Sequence, residues 1–276
     1  IPAHGSTGAA LGVLMGAISH KKKGRAWRLR SNSLKRYQTL IPELEAQTGL
    51  KIPVNQQGIL KLLFAGENLE KWQALQKFRA AEGWTLEIGD RAFITQHCPE
   101  IVNENIIGAV YSPQDGQVNP VELTKALVAG ARANGVEFLF GVEVQDFVTE
   151  TGLGLGEGEY FAPSRQGAKK GAKKGDRDRD RDIDIATCKY LVTSNGQIEV
   201  EELIISAGLG STALTQSLQQ DISIRPVLGQ AIKLQLDQPL GNPDFQPVIT
   251  GNDIHLVPLG NNQYWLGATV EFPTET

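Results

Sequence analysis

The stretch from Gly5 to Gly16 constrains this chain most: nine of its twelve residues are Gly, Ala, Ser, Thr or Val. So few bulky side chains let the backbone approach a neighbouring surface closely, and glycine reaches dihedrals closed to other residues. Two partners would satisfy that approach. One is a flat or polyanionic ligand, with Ser6 and Thr7 capping a short helix from near Gly8 whose free N–H groups favour a phosphate. The other is the protein itself, a tight small-residue helix packed on a sheet.

With 276 residues, 41% hydrophobic and 21% charged, the chain has the make-up of a globular protein with a substantial core. A net charge of −4 provides no general attraction to nucleic acid or to an anionic membrane. The longest apolar runs, Gly8 to Met15 and Leu203 to Ser206, fall far below the ~20 residues that span a bilayer. No signal-peptide pattern is present, because the Lys-rich segment follows the apolar one. Cys98 and Cys188 lie ninety positions apart without CxxC spacing, which points to two buried thiols in a reducing cytosol. A cytoplasmic location is expected.

Leu34, Tyr37, Ile41 and Leu44 recur at helical spacing after the basic run Lys21–Arg30, and Gly49 closes that helix. Gly58–Phe64 reads as a strand and Glu67–Glu82 as a second helix, with Asp90 capping a short third one. Ile106–Tyr111 is a strand and Asp115-Gly116 a turn. Asn119-Pro120-Val121-Glu122 then places a cap, a first-turn Pro and a capping-box Glu ahead of a helix burying Leu123, Leu127 and Ala131. Val136–Phe140 and Val142–Val148 follow as strands, an α/β succession.

Residues 163–182 alternate Lys, Asp and Arg with few apolar positions. The aspartates largely cancel the basic charge, so a mobile surface insertion is expected rather than a nucleic-acid tail. A β-meander resumes at Lys189, and Asn195-Gly196 carries a type I′ hairpin signal. Leu203–Ser206 predicts a buried parallel strand running into the corner Ala207-Gly208-Leu209-Gly210, with Ser211 capping a helix. Alternating residues from Ile232 to Val270 predict an antiparallel set turning at Gly260-Asn261-Asn262.

Separated pieces of the chain resemble one family. Ser6–Leu14, Ser33–Leu63, Asp115–Pro120, Pro226–Gln230, Leu256–Pro258 and Gly267–Glu271 are similar, in order, to the D-amino-acid-oxidase-like FAD oxidoreductases, nearest the glycine oxidase (ThiO) branch. The resemblance implies a mixed α/β fold, with a Rossmann-like FAD domain interleaved with a substrate domain built on a large antiparallel sheet. It assigns residues 1–24 and 115–224 to FAD, and 25–114 with 225–276 to substrate. It further implies FAD as cofactor and a small amine or amino acid as substrate, oxidised by hydride transfer to an imine that hydrolyses. Ser6, Thr7, Gly8, Ala10, Gly12, Val13 and Leu14 would lie along the pyrophosphate and flavin edge. Val144 would bond the adenine through its backbone, Ala207, Gly208 and Leu209 would flank the adenosine, and Gln230 would face the flavin side.

Three departures stand out. The opening strand with its Gly-x-Gly-x-x-Gly turn and ribose-binding acid is missing, so is the C-terminal part, and Leu259 stands where similar sequences usually carry Arg. A truncated, non-catalytic chain of the same fold is therefore the alternative expectation. His255 takes the place of a pocket Tyr and is either a substrate contact or a surface residue. His4, His20 and His97 have no metal-ligand spacing and read as structural or exposed, whereas Trp27, Tyr37 and Trp72 read as core.

Overall fold

The computed structural model describes residues 2–149, 152–153, 188–217 and 222–273. The expected insertion at 163–182 lies outside the described residues. In chain order the first elements are α1 (Ser6–Ala9), β1 (Val13–Leu14), α2 (Gly24–Thr48), β2 (Val54–Asn55), β3 (Ile59–Phe64) and α3 (Leu69–Ala81). Then come β4 (Glu87–Asp90), α4 (Arg91–His97), β5 (Ile106–Ser112), β6 (Gly116–Val118) and α5 (Pro120–Ala133). The middle of the chain holds β7 (Val144–Thr149), β8 (Gly152–Leu153), β9 (Cys188–Thr193), β10 (Gly196–Glu199) and α6 (Ser211–Ser217). The last four strands are β11 (Ala231–Gln235), β12 (Val248–Gly251), β13 (Ile254–Gly260) and β14 (Gln263–Gly267).

Two compact units result, Ile1–Phe138 with Val227–Thr276, and Leu139–Pro226. In the first, a seven-stranded sheet runs β11-β14-β13-β12-β3-β5-β4. Its one parallel pairing among the described residues joins β12 to β3. Alternation sorts the side chains to two faces. Ile59, Leu63, Val110, Val248 and Val257 pack with Trp72 and Leu75 of α3 and with Trp27 and Leu34 of α2. Leu60, Ala109 and Ile249 pack instead with Ile94 of α4 and the buried Cys98. A third cluster joins Leu44 of α2 to Leu123 and Ala126 of α5. A small antiparallel sheet, β1-β6-β2, stands beside these helices.

The local signals hold in most places. Gly49 closes α2 at φ 70°, its N–H bonding the Glu45 carbonyl at 2.9 Å. Asp90 accepts from the Phe93 N–H and starts α4. Asn119 accepts from the N–H groups of Val121 and Glu122, with Pro120 in the first turn of α5. The inward face of α5 differs, however: Leu123, Ala126 and Gly130 are buried while Leu127 is exposed. Gly130 is inward because a Cβ there would press on Leu44 of α2, so the close α2–α5 crossing selects the face.

Other expectations fail for identifiable reasons. Val136–Phe140 forms no strand, and Val136, Leu139 and Phe140 are exposed. Residues 203–207 also form no strand, and Ile204 is 86% exposed. An apolar run becomes a buried strand only when neighbours pair with its backbone, and none pairs with it among the described residues. The second unit is instead an antiparallel sheet, β10-β9-β7-β8. Its β9–β10 hairpin is not type I′, because positive φ falls on Gly196 at 116° and not on Asn195. Two-residue turns with both central residues at positive φ occur elsewhere, at Asn252-Asp253 between β12 and β13 and at Asn261-Asn262 between β13 and β14.

Candidate functional site

The glycine ribbon is held by the protein's own atoms. Ser6 opens a single helical turn whose cap, Gly5, makes no side-chain bond, so Ser6 and Thr7 do not serve as caps. Gly12 sits at φ 72°, and a Cβ there would overlap the Val118 carbonyl oxygen. A Cβ at Gly8 would overlap the Ala3 carbonyl, and one at Gly16 would overlap Leu34. Val13 and Leu14 form β1, paired with Gln117 and Gly116 of β6.

Beyond β1 the chain is clamped from two sides. Asp115, 2% exposed, accepts from three successive backbone N–H groups, Gly16 and Ala17 on Oδ1 at 2.8 and 2.9 Å and Ile18 on Oδ2 at 2.8 Å. Burial pushes this carboxyl up, against the three N–H bonds that favour its charge. Arg79 of α3 is fully buried and donates to the carbonyls of Ala17, Ser19 and Lys21. Its guanidinium carbon stands 3.4 Å from the Trp27 ring centroid, and Nη1 meets Glu82 at 3.2 Å. Neither residue is among the site candidates read from the sequence, because partners 58 or more positions away leave no local signal.

The start of the ribbon borders a cavity of about 690 Å³, lined from Gly8, Ala10 and Leu11, from 53–57, from Gln117 and 119–121, from Pro239, Pro243 and Gln246, and from β11, β13 and β14 with their turn. Such a volume lies within the roughly 300–1,000 Å³ of small-molecule and cofactor sites. Leu11, Pro258, Leu259 and Trp265 form apolar walls between nine Asn and Gln side chains. Many of these carboxamides hold the wall together. Asn55 donates to the Gln246 carbonyl at 2.8 Å, and Gln117 to those of Leu11 and Val118 at 3.2 and 3.0 Å. The Tyr264 hydroxyl donates to Gln246 Oε1 and accepts from the Leu240 N–H, both at 2.8 Å.

The remaining candidates fall as follows. Gln230 forms a backbone pair with Thr269, its N–H bonding Thr269 Oγ1 at 2.9 Å. His255 lies on β13 opposite Thr250 and Gly267 and does not line the cavity. Its Nδ1 is buried without a hydrogen-bond partner among the described residues, and burial, helped by Lys61, lowers its pKa against the pull of Asp253. In the second unit, Val144 opens β7 opposite Thr193, while Ala207 precedes a 3₁₀ turn over Gly208–Gly210. There Ser211 Oγ accepts from the Ala207 N–H at 3.1 Å. Cys98 is buried and its thiol is pushed up to about 12 by burial, whereas Cys188 is half-buried; both are free. Among the described residues no cluster of His, Cys, Asp and Glu is suited to a metal, and no helix is long and apolar enough to cross a membrane.

A family model described as DAO, FAD dependent oxidoreductase, matches residues 1–276. The chain belongs to that family. Among relatives of this DAO-family chain, glycine oxidase of Geobacillus kaustophilus (strain HTA426) is 22% identical over 265 residues, covering 96% of this chain and 60% of that protein. The bifunctional protein ThiO/ThiG of Trichormus variabilis (strain ATCC 29413 / PCC 7937) is 23% identical over 249 residues, covering 90% and 31%. The solved structure of the Geobacillus kaustophilus glycine oxidase matches with a TM-score of 0.76 at 22% identity, over 98% of this chain and 63% of that one. The DAO-family chain thus shares their fold and spans less than two thirds of their length. FAD is the cofactor of the family. The cavity fits its ring portion, because apolar walls suit the ring faces and neutral carboxamides suit its polar edge.

Proposed function

We propose that this chain acts as an FAD-dependent oxidoreductase on a small amino acid or amine, in the cytoplasm. The observation that carries the reading is the cavity bounded by the glycine ribbon on one side and by β13 and β14 on the other. Bound FAD supplies the hydride acceptor, so that the amine-bearing carbon of the substrate becomes an imine that water hydrolyses. The protein's part is positioning and exclusion of water. Gly8, Ala10 and Leu11 would present the ribbon to the ring, and Leu259 and Trp265 would keep the reacting carbon dry.

In this reading residues 1–24 and 115–224 serve FAD, while 25–114 and 225–276 serve substrate. The cavity wall draws on both sets, which supports that division. Ser6, Thr7, Gly12, Val13, Leu14 and Gln230 would act by shaping the ribbon and the strand ends. His255, which lies outside the cavity wall, is proposed as a substrate contact on the sequence resemblance alone. For the second unit, Val144, Ala207, Gly208 and Leu209 are proposed as nucleotide contacts on the sequence resemblance alone.

The test is retention of flavin. Purified protein is incubated with FAD, desalted and scanned in the visible, and retained flavin absorbance is expected. A colourless protein whose melting temperature does not respond to FAD would overturn the reading and leave a non-catalytic chain of the same fold.

A further inference from the structure

The segment 236–246 forms one side of the cavity through Pro239, Pro243 and Gln246. Both its ends are tied down. The Leu236 N–H donates to the Asn262 carbonyl at 3.0 Å, and Asn55 donates to the Gln246 carbonyl. Its tip is gripped by Gln246, whose Nε2 donates to the carbonyls of Leu240 and Asn242 at 2.6 and 2.8 Å, while the Tyr264 hydroxyl accepts from the Leu240 N–H. Between those two carbonyls stands Gly241, at φ 69°. Glu100, which follows α4 and does not line the cavity, packs against it: a Cβ on Gly241 would overlap the Glu100 carboxyl group. Glu100 Oε2 is buried with no hydrogen-bond partner, and Glu100 takes part in no ion pair, among the described residues.

A carboxyl seated in this way is stable as the neutral acid and disfavoured as the anion. Burial pushes it up, against its own backbone N–H, which favours the charge. No neighbouring group supplies a counter-charge. Cys98 faces it as a thiol, itself pushed up by burial and by Glu100. Arg91 of α4 directs its guanidinium to the carbonyls of Ile101, Asn103 and Ile106. On the segment itself Asp237 and Asp244 are exposed, and the rings of His97 and Tyr111 meet Phe245 at 5.4 and 5.3 Å between centroids. We propose that Glu100 is a proton-operated latch on the cavity wall: its protonated carboxyl seats the 236–246 segment, and its ionised carboxyl leaves Gly241 for water and releases that segment. The seated form prevails at low pH and is lost as pH rises through the raised value of the folded carboxyl. Since the segment is one side of the cavity, its release opens that side, whatever ligand the cavity takes. The latch therefore goes beyond the flavin reading and does not depend on it.

The test is hydrogen–deuterium exchange on the full chain at about pH 5 and about pH 8, with rates corrected for the intrinsic pH dependence of amide exchange. The reporters are the amides of Leu240 and Phe245, both hydrogen-bonded in the seated segment. In the wild type their protection is expected to fall about tenfold or more between the lower and the higher pH, while the amides of β5 stay within about twofold. Glu100→Gln and Glu100→Leu, two neutral side chains of different shape, should each give a flat profile, within about threefold across the range, whatever its absolute level. His97→Gln should keep the wild-type fall. Equal protection of the segment at both pH values in the wild type would overturn the proposal. So would a fall that persists in either Glu100 variant, that disappears in His97→Gln, or that extends equally to β5. Flavin uptake is not part of the readout, so a protein that takes up no flavin yet shows the latch would defeat the flavin reading alone.

Discussion

Asp115 shows how one side chain can set the shape of a site it does not line. Both its oxygens are engaged, Oδ1 by two N–H groups and Oδ2 by a third. Asp115→Asn keeps an acceptor for Gly16 and Ala17 but can turn an amide N–H toward that of Ile18. A loss of about 2–3 kcal/mol in urea unfolding is expected, since hydrogen bonds to charged groups are each worth about 1.5–3 kcal/mol. Arg79→Lys should cost a similar ~2–4 kcal/mol, because an ammonium cannot stack on Trp27 and also reach three carbonyls. His255 supplies the pH-dependent counterpart. Burial lowers its folded pKa below the ordinary value of 6.5, so at acid pH the unfolded chain binds the proton more readily. Its contribution is present above the unfolded pKa and is lost as pH falls through the folded one. Urea midpoints should therefore drop from about pH 7.5 to about pH 5.5, and His255→Gln should flatten that drop. His20, also lowered by burial and by neighbouring lysines, would keep the remainder.

Among the elements, two glycines with the same backbone conformation separate conformation from packing. Gly49 and Gly12 have φ of 70° and 72°, but a Cβ on Gly49 would meet open space and one on Gly12 the Val118 carbonyl. Gly49→Ala should cost about 1 kcal/mol, the left-handed penalty alone. Gly12→Ala should cost about 3 kcal/mol, because overpacking adds to it, and it should also lower flavin retention by moving the ribbon. Guanidinium unfolding and the desalting scan check both. The caps at Asp90 and Asn119 and the stop at Gly49 were readable in advance, since each depends on residues within one turn. The hairpin at 193–196 was misread, because the same Asn-Gly pair serves more than one turn type, and strand pairing decides where positive φ falls.

At the scale of the molecule, the cavity couples cofactor binding to stability. A ligand that binds only the folded chain stabilises it by about 2.7 kcal/mol at a hundredfold excess over Kd, so FAD should raise the melting temperature in a concentration-dependent way. By itself the sequence determined most of the helix ends and the alternation of the last strands, which follow from local periodicity and caps, while the large sheet and the family came through the resemblance that motif order carries. Tertiary structure alone decided that Gly8, Gly12 and Gly16 face the protein's own atoms, that Asp115 and Arg79 grip the same loop, and that Lys233 is the one charged side chain on the cavity wall among the described residues. The bonds of Asp115 and Arg79 to that loop join residues 58 to 99 positions apart, and no local pattern encodes which distant groups a fold will bring within bonding distance.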